Sequence, residues 1–335
     1  MTISTKEYID FVVLWVDGND PQWQAKKQKY NLRQGEDQSV ARYRDWETLK
    51  YWFRGVAKFA PWVKTIHFVT DDQIPSWLNT DSPHIHIVSH KDIIPSNALP
   101  VFNSNAIEMG ILNIENLADK FVLFNDDILL TQTITPEYYF KNGLPVDMAG
   151  LTNAKPPKEN DIFGNIQKNN YRLLQTQYEK TSVIKTNWKK WLRLSYGKTF
   201  IRTMINICRP DLAGLVMPHL SVPYLKRDWE RCWERFSDEL RQTQFHRFRS
   251  TEDVSHFLFR FWRMCEGDFF PERSKGRYFS LTEENLSRII RAIERQTYPE
   301  ICINDLWETG DYERAKKRLL DAFETILPEK CEFEI

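Results

Sequence analysis

Two adjacent carboxylates, Asp126 and Asp127, interrupt an apolar stretch, FVLFNDDILL, that runs from Phe121 to Leu130. Phe121 to Phe124 reads as a strand buried on both faces, and Asn125 begins the polar break. In open α/β sheets, ligands bind just beyond the carboxyl ends of the strands. Paired acids at such a place need cationic compensation, and a divalent metal holding a phosphorylated substrate supplies it. A plain turn is the alternative, because Asn and Asp favour turns. The pattern recurs. The apolar run from Ile9 to Val16 ends in Asp17-Gly18-Asn19-Asp20-Pro21, Val63 to Thr70 ends in Asp71-Asp72, and Ile301 to Ile303 ends in Asn304-Asp305. Each is turn chemistry when taken singly, but independent turns have no reason to converge.

Further candidates lie outside these acids. In Met217 to Tyr224, two prolines bracket His219 and fix the backbone around it, and a rigidly held histidine suits general-base work near neutral pH. A structural histidine is the plainer alternative. The stretch from Phe245 to Thr251 carries Arg247 and Arg249, which suit bidentate contacts to phosphate oxygens. His84, His86 and His90 alternate with apolar residues and read as a solvated strand face in preference to a metal site.

These residues must be positioned by regular elements. A helical stripe begins near Arg42 and runs through Trp46, Leu49, Phe53, Val56 and Ala60, with Arg44 and Asp45 beside it, until Pro61 ends it. A third short strand is expected over His84 to Val88. Another helix is expected from Asn103 to Ala118, with Asn105 near its start, feeding the Phe121 strand. The order strand, helix, strand, strand, helix, strand implies an α/β fold: a mostly parallel, Rossmann-like sheet with covering helices. From Lys155-Pro156-Pro157-Lys158 to about Asp211 the chain turns helical and basic, and reads as an inserted, largely helical subdomain. Its cations form either a solvated face or a surface for an anionic acceptor, a lipid phosphate or a membrane headgroup. Helices are expected again over Asp228 to Leu240, Glu252 to Cys265 and Tyr312 to Leu327. The division is an N-terminal part of the catalytic core over 1–154, a basic helical insertion over 155–211, and a C-terminal part completing the core over 212–335.

At 335 residues the chain can bury a sizeable core, and its 46 basic and 46 acidic residues balance, which argues against binding nucleic acid by bulk charge. The five cysteines are widely spaced and form no CxxC pair, so a reducing compartment fits better than a disulfide framework. No apolar run reaches the length of a membrane span. A cytoplasmic protein is expected, with peripheral association at the inner face of the cell membrane left open. GxGxxG and Walker-type patterns are absent.

Together the blocks resemble the Stealth family. IDFVVLWVDGNDP resembles its first conserved region. RYRDWETLKYWFRGVAKFAPWVKTIHFVTDDQIPSWL, continuing through FNSNAIEMGI to FVLFNDDILL, resembles the second. MPHLSVPY and RFRST resemble the third, and ICINDLWET the fourth. They follow the family's order from Ile9 to about Thr309. Thr48 stands where many members have Glu, and the extra modules and membrane anchors of the animal relatives are absent, as in a short bacterial member.

The resemblance implies a sugar-1-phosphate transferase. It would move a hexose-1-phosphate from UDP-N-acetylhexosamine or a related UDP-sugar to a hydroxyl of an oligosaccharide or lipid-linked polysaccharide, releasing UMP. On that expectation Asp126 and Asp127, with Asn304 or Asp305, hold Mg2+ (or Mn2+). Asp127 is favoured, because adjacent strand residues point to opposite faces. His219 takes the acceptor proton, Arg249 and Arg44 clamp phosphate oxygens, and Asp17 and Asn19 lie by the nucleotide. Asn105 and Asn125 complete the nucleotide-sugar site. Two alternatives are a metal-dependent glycosyltransferase, which would release UDP, and a non-catalytic scaffold of polysaccharide assembly.

Overall fold

The apolar runs of the N-terminal half become neighbouring strands because each has two faces to bury. The computed structural model describes residues 8–30, 44–153, 156–209 and 211–335. Its strands are β1 (Ile9–Leu14), β2 (Ile66–Thr70), β3 (Ile85–Ser89), β4 (Lys120–Asn125), β5 (Ile128–Leu130), β6 (Phe140–Lys141) and β7 (Leu144–Asp147). Beyond the helical middle of the chain follow β8 (Val222–Leu225), β9 (Phe270–Pro271), β10 (Arg277–Leu281) and β11 (Glu300–Asp305).

Five strands form one sheet in the order β3-β2-β1-β4-β8, parallel except for β8, which runs antiparallel to β4. The order reverses at β1, with β2 and β3 to one side and β4 to the other. Phe11, Val13, Val122 and Phe124 belong to one core, whereas Val12, Phe121 and Leu123 belong to a second. Such two-sided burial explains why these strands lack polar alternation.

Helices Leu49–Phe59, Glu283–Glu294 and Tyr312–Ile326 supply the first core. Leu49, Trp52, Phe53, Val56 and Phe59 recur at three- and four-residue steps and are buried, which makes one apolar face. A Cβ on Gly55 would lie 3.1 Å from the carbonyl of Leu130, so this helix closely approaches the end of β5. The second core is filled from helices Ile162–Gln175, Lys226–Arg235 and Phe257–Glu266. Leu173, Leu174, Val183, Ile184 and Trp191, from the basic helical segment, pack into this same core.

A second sheet, ordered β10-β11-β5, stands beside the first, with β10 parallel and β5 antiparallel to β11. The two-residue turn Asp126-Asp127 carries the chain from β4 in one sheet to β5 in the other. A small third sheet, β6-β7-β9, completes the strands.

Several sequence expectations change. The helix expected from Asn103 to Ala118 spans only Ser104–Glu108, followed by a 3-10 turn at Ile111–Asn113. Gly110 marks the break: a Cβ there would sit 2.6 Å from the carbonyl of Ile93, so the backbone turns where another segment presses on it. Asp228 to Leu240 is two helices, Lys226–Arg235 and Ser237–Phe245. The helix expected from Glu252 starts at Phe257, because Asp253 holds the preceding residues in a loop, accepting from the amide of Ser250 at 3.0 Å. The stripe expected from Arg42 becomes a helix at Leu49, while Arg42 and Lys155 lie outside the described residues. The three histidines in and beside β3 are not a uniformly solvated face. His84 is exposed, but His86 meets His67 at 3.0 Å and His90 is buried. Among the described residues no helix is long and apolar enough to cross a membrane, and the five cysteines are free.

Candidate active site

The reversal of strand order at β1 opens a crevice at the carboxyl ends of β1 and β4, where such sheets bind ligands. Both strands end there in acids. Asp17 follows β1 in an Asx turn whose Oδ1 accepts from the Asn19 amide at 2.8 Å. Gln73, beyond the end of β2, braces the turn by accepting from the Asp17 amide at 2.9 Å and donating to Asp20 Oδ2 at 2.9 Å. Asn125 ends β4 in register with Leu14 and is exposed, as is Asn19.

Asp126 is exposed at the turn between β4 and β5, although protein crowds around it. That surround, then the neighbouring carboxylates of Asp127 and Asp45, push its pKa up to about 7. Burial also raises Asp45, and the charges of Glu47 and Asp17 add to it against a lowering hydrogen bond from the Glu47 amide. Asp17, Asp45, Asp126 and Asp127 therefore form one electrostatically coupled row of acids.

Asp127 is turned toward the second sheet. Cys302 Sγ donates to its Oδ2 at 3.4 Å, and its carbonyl accepts from the Ile303 amide at 2.8 Å. Burial raises its pKa despite that thiol bond. Along β11 side chains alternate, so Asn304 shares the face of Cys302 while Asp305 takes the other. Asn304 Nδ2 donates to the hydroxyl of Tyr278 at 3.1 Å, and Tyr278 pairs with Cys302 in the β10–β11 register. The ring of Tyr278 lies 5.3 Å from that of His219. The ladder thus brings His219 onto the face that holds Asp127. Asp305 points elsewhere: it accepts from the Trp307 amide at 2.8 Å and lies 3.6 Å from Arg44 Nε.

His219 has φ +48, a left-handed conformation that costs a non-glycine residue free energy and marks sites under functional constraint. Its loop is anchored on both sides. Arg260 Nη1 donates to the Val216 carbonyl at 2.8 Å, Glu300 Oε1 accepts from the Ser221 amide at 2.6 Å, and Arg263 Nη1 donates to the Pro223 carbonyl at 2.5 Å. Both arginines also hold the buried Asp147. Surrounding protein lowers the His219 pKa, so the imidazole is neutral and able to accept a proton near pH 7.

The remaining residues form the rim. Arg249 is exposed and donates to Ser104 Oγ at 2.6 Å. Asn105 is buried, its Nδ2 3.4 Å from Asp253 Oδ2, so its amide serves the loop that carries Arg249. That loop stacks Phe248 on Phe102, which meets Trp23 on the helix following the Asp17 turn. Arg44 donates to the Trp307 carbonyl at 2.9 Å and lies over the ring of Tyr312. Asp71 forms an ion pair with Lys26 at 2.5 Å and lies 3.8 Å from His90 Nδ1. A cavity of about 600 Å³ opens beside Ile9, Lys120 and Phe140, at the amino ends of β1 and β4. It lies at the opposite end of the sheet from this chemistry.

Among the described residues, no three His, Cys, Asp or Glu side chains converge as a ready-made metal site. A divalent cation on a diphosphate needs less, since magnesium commonly takes one or two carboxylates and completes its shell with water and substrate phosphates. Asp127 Oδ1 is buried without a hydrogen-bond partner, and Asp126 beside it is raised to about 7 by burial and neighbouring acids. This pair fits such a cation. Asp305 Oδ2 is likewise buried without a hydrogen-bond partner, 3.6 Å from Arg44 Nε, while its Oδ1 accepts from the Trp307 amide, and Asn304 keeps its carbonyl oxygen free of the Tyr278 bond.

Sequence reasoning did not single out Asp45, Gln73, Tyr278, Cys302 or Glu300. Asp45 carried a signal, lying next to Arg44 before the first helix. Tyr278 carried none, because β10 is short and half polar.

The family models match in two places. Residues 7–35 match Stealth protein CR1, conserved region 1, and residues 42–146 match Stealth protein CR2, conserved region 2. A capsular polysaccharide phosphotransferase WcwK of Streptococcus pneumoniae is 34% identical over 98% of this chain and 98% of its own length. An exopolysaccharide phosphotransferase cps2G of Lactiplantibacillus plantarum is 35% identical over 97% and 96%. A receptor polysaccharide phosphotransferase WefC of Streptococcus oralis is 35% identical over 98% and 99%. With conserved regions in place and similarity running end to end, the chain belongs to the Stealth family.

Proposed function

We propose that this protein is a polysaccharide phosphotransferase that moves a hexose-1-phosphate, N-acetylated or not, from a UDP-sugar to a sugar hydroxyl of an oligosaccharide or lipid-linked polysaccharide. The acceptor oxygen attacks the sugar-bearing phosphorus, the bond from that phosphorus to the bridging oxygen breaks, and UMP leaves. A phosphodiester then joins the two sugars. The observation that carries this reading is the row of acids at the point where strand order reverses, with His219 joined to it through Tyr278 and the β10–β11 ladder.

Phosphoryl transfer asks a protein mainly for positioning and for neutralisation of spreading charge. On this reading the five-stranded sheet is a Rossmann-like platform, and residues 155–211 are an insertion in the catalytic core. Asp17 and Asn19 follow β1 beside the nucleotide, and Asn125 extends that edge. Asp127, with Asp126, would hold Mg2+ or Mn2+, which would neutralise the donor diphosphate. Neutral His219 would accept the proton of the attacking hydroxyl. Arg249 on the rim, with Asn105 bracing its loop, would engage phosphate oxygens, while Arg44 would act through Asp305 and the residues after β11. The unpaired cysteines suit a reducing compartment, so we place the reaction in the cytoplasm.

The product tests this reading. Incubation with UDP-N-acetylglucosamine, Mg2+ and a series of oligosaccharide acceptors, followed by phosphorus NMR of the purified product, should give a phosphodiester resonance carrying the donor's phosphate. A sugar product free of phosphorus would overturn it.

A further inference from the structure

The basic helical segment contains a helix packed the wrong way round for a soluble protein. Helix Lys198–Asn206 buries Thr203 and Asn206 and leaves Ile201, Met204 and Ile205 exposed. Its inward face makes polar bonds: Thr203 Oγ1 donates to the Thr199 carbonyl at 2.8 Å and accepts from the Leu151 amide at 3.0 Å, while Asn206 Nδ2 donates to the Arg202 carbonyl at 2.8 Å and Asn206 Oδ1 is buried without a partner. Positions 201, 204 and 205 form one stripe at helical spacing. The preceding 3-10 turn, Leu194–Tyr196, leaves Leu194 80% exposed, and Trp188 just upstream is 53% exposed. Burying polar groups while presenting isoleucine, methionine and leucine to water is unfavourable unless something apolar covers that face.

The charge around it indicates what the cover is. From Lys180 to Arg209 the sequence holds five lysines and three arginines and no Asp or Glu. Lys185, Lys189, Arg193, Lys198 and Arg202 are exposed, and among the described residues none of them makes an ion pair. Cations interleaved with exposed aliphatic and indole side chains are what an anionic bilayer surface selects, with the apolar face entering the acyl boundary and the cations meeting headgroup phosphates. A protein partner with an acidic rim would need matching acids, and a second copy of this chain would bring the same positive face against itself. We propose that residues 188–206 dock the protein on an anionic lipid membrane. The helix also lies close to the His219 loop: a Cβ on Gly150 would meet both Thr199 Cγ2, at 2.3 Å, and Val216 Cγ2, at 3.4 Å, three residues before His219. A docked enzyme would therefore meet an acceptor held on lipid from the membrane side.

Co-sedimentation of the full chain with phosphatidylcholine vesicles, with and without one third phosphatidylglycerol, tests this. Binding should be at least tenfold stronger to the anionic vesicles at low salt and should weaken as salt rises. Ile201→Ser/Ile205→Ser and Lys198→Glu/Arg202→Glu should each lower it at least tenfold, while melting temperature and transfer to a soluble acceptor stay as in the wild type. Equal binding to both vesicle types, no binding to either, or unaltered binding by both variants would overturn the proposal. So would a wild-type dimer in light scattering that Ile201→Ser/Ile205→Ser dissociates, because the face would then be a contact between copies.

Discussion

The ring of His219 lies 5.3 Å from that of Tyr278, whose hydroxyl accepts from Asn304 Nδ2 at 3.1 Å. Through this contact a strained loop residue is fixed relative to β11, and β11 in turn holds Asp127 through Cys302. His219 and Asp127 are thereby positioned by one pair of strands.

His219 should separate activity from stability. His219→Asn should reduce turnover by about 10²- to 10⁴-fold, the usual contribution of a general base, with KM for the UDP-sugar little changed. His219→Gly should be equally inactive yet about 1 kcal/mol more stable, since glycine relieves the left-handed backbone at φ +48. Steady-state kinetics and chemical denaturation check both. Near-normal turnover in either variant would remove His219 from the mechanism.

Asp127 should report on the metal without any turnover. Mg2+ added with UDP should raise the melting temperature of the wild type and leave Asp127→Asn unmoved. The wild-type shift should be larger at pH 8 than at pH 5.5, because Asp126, raised to about 7 by its surround and by Asp127 and Asp45, must lose its proton to meet the cation. An equal shift in the variant would place the cation elsewhere.

Glu300 should make stability depend on pH. It is buried beneath the His219 loop, and burial pushes its pKa up to about 7 against the hydrogen bonds from Ser221 and Tyr138. A carboxyl raised in the folded state holds its proton more tightly there than in the unfolded chain. Its contribution is full below the unfolded value of 4.5 and is lost as pH rises through about 7. The loss is of order 3 kcal/mol. Denaturation from pH 4.5 to 8 should show a shallower decline in Glu300→Gln than in the wild type. The variant will not be flat, because Glu108 is buried and likewise raised to about 7. Identical slopes would exclude the assignment.

Arg44 and Asp305 should behave as a unit. Arg44→Ala leaves the Asp305 carboxylate without its cation and should cost about 1–3 kcal/mol. Arg44→Ala/Asp305→Asn should recover part of that loss in a double-mutant cycle. Strictly additive losses would contradict the pairing.

The strands of the crevice were legible because burial on both faces leaves a plain signature: Phe121 to Phe124 and Phe11 to Val13 have no polar position to hide. The acids that end them were legible for the same reason, as polar breaks in apolar runs. The ladder that joins His219 to Asp127 was not. It depends on Tyr278 and Cys302 being opposite one another in β10 and β11, a pairing between segments 24 residues apart that no local pattern encodes. The expected helix from Asn103 to Ala118 failed at Gly110, where contact with the Ile93 carbonyl, a tertiary event, overrides an apolar period. Asp305 looked equivalent to Asn304 in sequence, and only strand alternation in a known register sends them to opposite faces.

The central claim is that the bond broken lies between the two phosphorus atoms of the donor and not between sugar and phosphate. Chromatographic identification of the nucleotide released from UDP-N-acetylglucosamine, with Mg2+ and an acceptor the enzyme uses, decides it. The account predicts UMP in one-to-one ratio with product; UDP as the sole nucleotide product would contradict it.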